Sequence, residues 1–257
     1  MSLRRLCAIL LCVPLVGACQ QEAGMAVSWH APEPPKQVTG ADGHRLPSKI
    51  TLTDGVSLRP GNGPVGTYTH TGTENVALTF DDGPSPTYTP QLLAMLRQYN
   101  IKATFCLVGT EVEAYPELVR SIVADGHSLC NHSWHHDFGL GSQSDENIRE
   151  NLGRTNDAIR RAVSGARIKY YRQPGGRWNS RIVAIAQSLG MRSLHWDVDP
   201  QDWRYGEEAI YRTVTSQTHS GSIVLMHDAG GNRANTMAAC KRILPQLKAR
   251  LKLVALP

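Results

Sequence analysis

The sequence predicts an α/β fold of about seven parallel strands alternating with helices, with its chemistry gathered at the C-terminal strand ends. Three observations lead there. Short apolar runs alternate with amphipathic stretches from Glu74 to Pro257. A content of 41% hydrophobic and 19% charged residues over 257 positions is enough for a sizeable core. Five of the apolar runs also end in polar, chemically capable side chains. Parallel strands joined by helices bring such ends to one rim, where barrels keep their active sites.

Residues 1–18 read as a targeting segment. Arg4 and Arg5 precede a largely apolar stretch from Leu6 to Val16, which fits a secretory signal and is too short to span a bilayer. Its end, Val16-Gly17-Ala18-Cys19, resembles a bacterial lipoprotein signal, in which acyl chains on Cys19 anchor the mature chain to the membrane. Ordinary cleavage nearby, with a secreted product, is the alternative. Residues 19–73 read as a tether: six Pro and six Gly fall between positions 30 and 66, with a short hairpin expected around Lys49 to Leu58. The charge balance of 27 Lys and Arg against 22 Asp and Glu falls to an excess of three once Arg4 and Arg5 are set aside. Without a basic run or a basic-aromatic stripe it gives no case for nucleic-acid binding. Cysteine usage fits export: Cys7 and Cys12 leave with the signal and Cys19 takes lipid, so Cys106, Cys130 and Cys240 remain. Cys106 and Cys130 close consecutive strands, and both a bridge and two buried thiols are compatible with that placement.

Residues 74–257 form the catalytic domain of this reading. The expected strands are Val76 to Phe80, Ala103 to Val108, His127 to Cys130, Arg167 to Tyr171, Arg192 to Trp196, Ser222 to Met226 and Leu251 to Leu256. Helices are expected from Pro90 to Tyr99, Pro116 to Ala124, Asp145 to Val163, Ser180 to Leu189, Glu207 to Thr218 and Asn235 to Arg250. The third is the clearest. Ile148, Leu152, Ile159 and Val163 share one face, and Asp145 and Glu146 complement the dipole of its first turn.

The strand ends carry Asp81-Asp82, His132 to His136, Arg172, Asp199 with Asp202-Trp203, and His227. Any one of these has a bland reading as a turn or a core polar residue; five on one rim do not. His132 and His136, four apart, would lie on one face of a helical turn, a spacing suited to a metal ion, with Asp82 as third ligand. Two His and one carboxylate suit zinc, while cobalt, nickel and iron are not excluded by ligand type. A metal held this way activates water and polarises a carbonyl, chemistry that needs a base, for which Asp81 is the candidate, and an acid, for which His227 is. His135 points elsewhere.

Thr79-Phe80-Asp81-Asp82-Gly83-Pro84, His132-Ser133-Trp134-His135-His136, Arg172-Gln173-Pro174-Gly175-Gly176, Asp199-Pro200-Gln201-Asp202-Trp203 and Leu225-Met226-His227 resemble, in order, the five motifs of the polysaccharide deacetylase family, carbohydrate esterase family four. The resemblance spans Glu74 to the chain end and implies a distorted (β/α) barrel of about seven parallel strands. It implies Asp81 as general base, oriented by Arg172, and Asp82, His132 and His136 as metal ligands. His227 would be the acid, held in its charged form by Asp202, and the Gly175 N–H an oxyanion contact. Trp203 and Leu225 would line a pocket for the acetyl methyl group. Many family members carry a bulky residue where Gly175 stands; Trp178 is the expected replacement for that wall.

The resemblance implies a metal-dependent hydrolase that removes N-acetyl groups from an N-acetylglucosamine-containing polysaccharide such as peptidoglycan, chitin or an exported polymer. O-deacetylation of acetylxylan by the same machinery is the second reading, and a non-catalytic glycan-binding lipoprotein the third. The expected partners are the acetylated polysaccharide and, through Cys19, the membrane; the expected location is the cell envelope, or secretion. Of ten histidines, three acquire roles and seven need none.

Overall fold

Six parallel strands form one sheet in the order β5-β4-β3-β2-β1-β6 in the computed structural model, which describes residues 61–257. The signal, Cys19, the tether up to residue 60 and the hairpin at Lys49 to Leu58 lie outside the described residues. The strands are β1 (Ala77–Asp81), β2 (Thr104–Leu107), β3 (Ser128–Asn131), β4 (Tyr170–Tyr171), β5 (Arg192–Ser193) and β6 (Ile223–His227). The helices are α1 (Thr89–Gln98), α2 (Gly109–Ala114), α3 (Pro116–Ala124), α4 (Asp145–Ala162), α5 (Ser180–Ser188), α6 (Glu207–Gln217) and α7 (Ala234–Arg250). Among the described residues no helix is long and apolar enough to cross a membrane.

Strand periodicity sorts the side chains into two layers. Leu78, Phe80, Phe105, Leu107, Leu129, Tyr171, Val224 and Met226 pack outward under the helices in the main core. Ala77, Cys106, Cys130, Tyr170, Leu194 and Ile223 turn inward and form a second, smaller core. Both faces are therefore covered, and the strands read as continuous apolar runs rather than alternating ones. The inward positions continue upward, two residues at a time, to Asp81, His132, Arg172 and His227. The same alternation that fills the barrel with small and apolar groups thus delivers polar ones at its C-terminal rim.

α4 shows why the helices form where they do. Ser144 caps it by accepting from the Asn147 N–H, Asp145 and Glu146 occupy its first turn, and Arg160 and Arg161 its last. Ile148, Leu152, Thr155 and Ile159 make its buried stripe. Asn179 caps α5 in the same way, through Ile182 N–H.

Two expectations need correction. Leu251 to Leu256 is no strand: its one bridge, Leu253 to Val76, lies just ahead of β1. The parallel pairing stops at that one bridge, and the Leu256 N–H is taken by the Thr104 hydroxyl at 2.9 Å. β4 and β5 are also only two residues long, because the chain leaves β4 after Leu194, whose N–H donates to Tyr171 O. Tyr68 intervenes, donating to Ser193 O and accepting from His195 N–H, and Asp197 and Val198 then donate to Ile223 O on β6. Isolated bridges rather than a full ladder close the barrel, which is the source of its distortion. Thr67 and Thr71, the latter donating its N–H to Gly221 O, are buried against this closure.

Cys106 and Cys130 face each other as register partners on β2 and β3, and their sulfurs are bonded. Cys240 is buried and free. Closing a loop of 24 residues restrains the unfolded chain, so replacing both cysteines with Ala should lower stability by about 3 kcal/mol in the chain-entropy account. Urea unfolding of oxidised wild type against the double variant measures it; equal midpoints would reject the contribution.

Candidate active site

Asp81 closes β1 on the inner face, directly opposite His227 on β6 in register. Arg172, fully buried, donates from Nη1 to Asp81 Oδ1 at 2.7 Å and to the Thr79 hydroxyl at 2.8 Å. Its remaining donors go to the carbonyls of Leu194 and His195. One carboxylate oxygen of Asp81 is thereby fixed; the other lies 3.6 Å from His132 Nε2.

Asp82 follows in the left-handed region, φ +75°, unusual for a residue with a side chain and costing of order 1–3 kcal/mol. That turn sends its carboxylate away from Asp81, so two adjacent acids serve different partners. Gly230 makes room: a Cβ there would overlap Asp82 Oδ2. His132 Nδ1 lies 2.8 Å from Arg172 O, and since a carbonyl only accepts, Nδ1 carries the proton and the Nε2 lone pair faces the acids. His132 Nε2 and His136 Nε2 stand 3.4 Å and 3.2 Å from Asp82 Oδ1.

The helical turn expected from His132 to His136 is absent. A loop with left-handed residues at Ser133 and His136 brings the rings together instead, with centroids 5.0 Å apart. Its shape is set by outside partners: Asn131 Oδ1 accepts from Ser133 N–H, and Gly109 and Thr110 donate to Ser133 O and Trp134 O. His135 is exposed and edge-on to Trp134, outside the cluster.

The residues present fit a metal ion. Asp82 Oδ1 is buried without a hydrogen-bond partner, and the three ligand atoms of Asp82, His132 and His136 lie within 4.8 Å of one another. A cluster of converging acceptors, one of them an orphaned carboxylate oxygen, is stabilised by a cation. Burial alone would raise the Asp82 carboxyl, but the imidazoles of His132, His227 and His136 around it outweigh this and hold it below the usual carboxylate range. Burial, then the neighbouring His132, lowers His136, which favours the neutral imidazole a ligand must be.

Across the rim His227 donates from Nδ1 to Asp202 Oδ1 at 2.6 Å, leaving Nε2 toward the site. Asp202 is held in turn by the His227 N–H and the Thr236 hydroxyl. Burial pushes His227 down, but the hydrogen bond and charge of Asp202, with Asp82 and Asp81 behind, carry it up to about 9. The site opens to a cleft of about 540 Å³ bordered by Asp82, Tyr115, His136, Phe138 and Gly230.

Gly175 sits at φ +62° in the turn after β4, where a Cβ would lie 2.6 Å from the Phe138 ring. Phe138, 47% exposed and edge-on to His136, therefore takes the space of the missing side chain. Trp178 does not: its indole donates to His195 Nδ1 and its ring stands against Tyr171. Leu225 is buried on the inner face, one alternation below His227. Trp203 is 56% exposed beside Asp202 and encloses no pocket by itself.

Sequence reasoning missed Phe138, Gly230 and Asp228. Asp228 is buried beside Gly83, accepts from the Thr89 hydroxyl and keeps Oδ1 without a partner. Burial pushes it up to about 7, with Asp82 and Asp81 adding to the rise against the Thr89 hydrogen bond. Its adjacency to His227 was the available signal.

Comparison with known proteins bears on this arrangement. The polysaccharide deacetylase family profile matches residues 69–194. A peptidoglycan-N-acetylglucosamine deacetylase of Bacillus cereus is 39% identical over 176 residues, 67% of this chain and 81% of the relative. A chitooligosaccharide deacetylase of Sinorhizobium fredii is 35% identical over 191 residues, 70% of this chain and 88% of the relative. The solved family 4 carbohydrate esterase of Streptomyces lividans, in complex with acetate, superposes with a TM-score of 0.65 at 35% identity, covering 70% of this chain and 91% of that one. With the motifs in order on a curled parallel sheet, and relatives matched over most of their length, the chain belongs to the polysaccharide deacetylase family.

Proposed function

We propose that the protein is a metal-dependent hydrolase that removes N-acetyl groups from an N-acetylglucosamine-containing polysaccharide. The observation that supports this best is the meeting of an orphaned Asp82–His132–His136 acceptor cluster with Asp81 and His227 on one rim. The names of the matched relatives point to the same substrate class. Asp82, His132 and His136 would hold a divalent metal, zinc by ligand type, which when bound supplies a Lewis acid that polarises the acetyl carbonyl and acidifies water. Asp81, oriented by Arg172, takes the proton from the attacking water. His227, charged and held by Asp202, gives its Nε2 proton to the departing amine as the carbon–nitrogen bond breaks. The Gly175 N–H is the oxyanion contact, and Leu225 and Trp203 flank the acetyl methyl. Phe138 presents a flat apolar face at the cleft edge for a sugar ring.

The same residues would act on an acetyl ester. Acetate release from acetylated chitooligosaccharides, peptidoglycan and acetylxylan, with metals added back to chelated enzyme, separates amide from ester substrates. Turnover confined to acetylxylan would overturn the N-acetyl reading. No acetate release from any of them would leave only the non-catalytic, glycan-binding role.

Roles divide by variant. His132→Ala should lose the metal of the Asp82–His132–His136 cluster and activity together. Asp81→Asn should keep the metal and lose at least about a hundredfold in kcat; near-wild-type turnover would reject Asp81 as base. Because the acid form of His227 is the working form, kcat/KM should fall as pH rises through its raised pKa, at a pH lowered by any cation on Asp82. His227→Ala should remove that alkaline limb, and a limb left unchanged would refute the assignment.

The proposal extends to location: an envelope lipoprotein anchored through Cys19 meets such polymers directly. Cys19→Ala should move the protein from the membrane fraction to the soluble one. Equal membrane retention would sink the anchor and favour another mode of attachment.

A further inference from the structure

His70, Asp197 and His219 converge at the end of the barrel opposite the candidate active site. His70 lies ahead of β1 and bridges antiparallel to Ser222, while Asp197 follows β5 and donates its N–H to Ile223 O. His219 stands in the turn between α6 and β6. His227 is five residues beyond Ser222 along β6, about 17 Å of strand.

The geometry is that of a ligand set. His70 Nε2 is 3.4 Å from Asp197 Oδ1 and His219 Nε2 is 3.2 Å from Oδ2, with all three ligand atoms within 4.8 Å of one another. His219 Nδ1 lies 3.0 Å from Ser220 O, which only accepts, so in the neutral ring Nδ1 holds the proton and Nε2 keeps its lone pair. His70 Nδ1 is engaged by the Thr69 hydroxyl at 2.9 Å, and the Ser222 hydroxyl donates to Asp197 Oδ2 at 2.6 Å. Hydrogen bonds of this kind orient metal-binding imidazoles and carboxylates. Among the described residues no Lys or Arg lies within 4.0 Å of the Asp197 carboxylate, so its charge faces the two imidazoles. The cluster adjoins an open cleft of about 650 Å³ bordered by His70, Glu74 and Ser220, with room for water ligands.

We propose that His70, Asp197 and His219 form a second site for a divalent metal ion of the zinc class, structural rather than catalytic. The segment leading into β1 and the run after β5 form no ladder with their neighbours here, only the isolated bridges Tyr68 to Leu194, His70 to Ser222 and Val198 to Val224. An ion held by all three side chains clamps the segment leading into β1 onto the β5–β6 closure. Two imidazoles and a carboxylate match zinc preferences, with the remaining position left to water.

The test is zinc content and thermal unfolding of the chelated full chain after titration with Zn²⁺ alone. Wild type should hold two ions per chain, and His219→Ala and His70→Ala one each, with kcat/KM within about twofold of wild type. The His132→Ala chain should also hold one, and zinc should raise its Tm. Adding His219→Ala to His132→Ala should abolish that rise. If either alanine variant fails to give the wild-type circular dichroism spectrum, His219→Gln replaces it with the same expectation. A single ion per wild-type chain, or a second ion retained by both the His219 and His70 variants, would overturn the site.

Discussion

Arg172 carries a permanent charge with no exposed surface, and the arrangement of the rim follows from how that charge is satisfied. Burying an unpaired guanidinium would cost several kcal/mol, so its donors must find acceptors. They find Asp81 and Thr79 on β1 and the carbonyls of Leu194 and His195 beyond β5. In a flat sheet β4 and β1 would stand three strand spacings apart, about 14 Å, beyond the reach of one side chain. The curl of the sheet and the Arg172–Asp81 pair are thus one constraint seen twice. The carbonyl of Arg172 then sets the proton on His132 Nδ1 and turns the other nitrogen to the acids.

Four of the carboxylates at this rim are each made tolerable by a different partner. Asp81 has Arg172, and Asp202 has His227 and Thr236. Asp82 has only facing imidazoles, with Arg233 more distant at 3.8 Å, and an oxygen left unpaired. Asp228, pushed up by burial, is relieved by taking a proton. Separating the environments of neighbouring acids is how one site can hold them in different protonation states.

Backbone strain is concentrated here as well. Asp82, Ser133, His136 and Gln201 all adopt positive φ, each within or beside a motif at the rim. Residues with side chains hold such conformations only where surrounding contacts over-determine them. The room left by Gly230, the bond from Asn131 to Ser133 and the contacts from α2 supply that determination. Phe138 illustrates the converse. A glycine at 175 opens space beside the loop, and an aromatic ring from another part of the chain fills it.

By itself the sequence determined what depends on neighbours along the chain. The period of two within each strand places Asp81, Arg172 and His227 on one face. The stripe and caps of α4 place that helix, and the motif order places the chain in its family. Only the tertiary structure decided what depends on residues far apart. The Cys106–Cys130 bond needs the register of two strands, and the meeting of His132 with His136 needs a loop shaped by α2 rather than a helical turn. The closing segment docks its Leu256 N–H on the Thr104 hydroxyl, 152 positions away. The His70–Asp197–His219 cluster joins three segments that share no local pattern. Local propensity and periodicity are short-range, whereas burial, charge pairing and strand closure are satisfied only when the whole chain has folded.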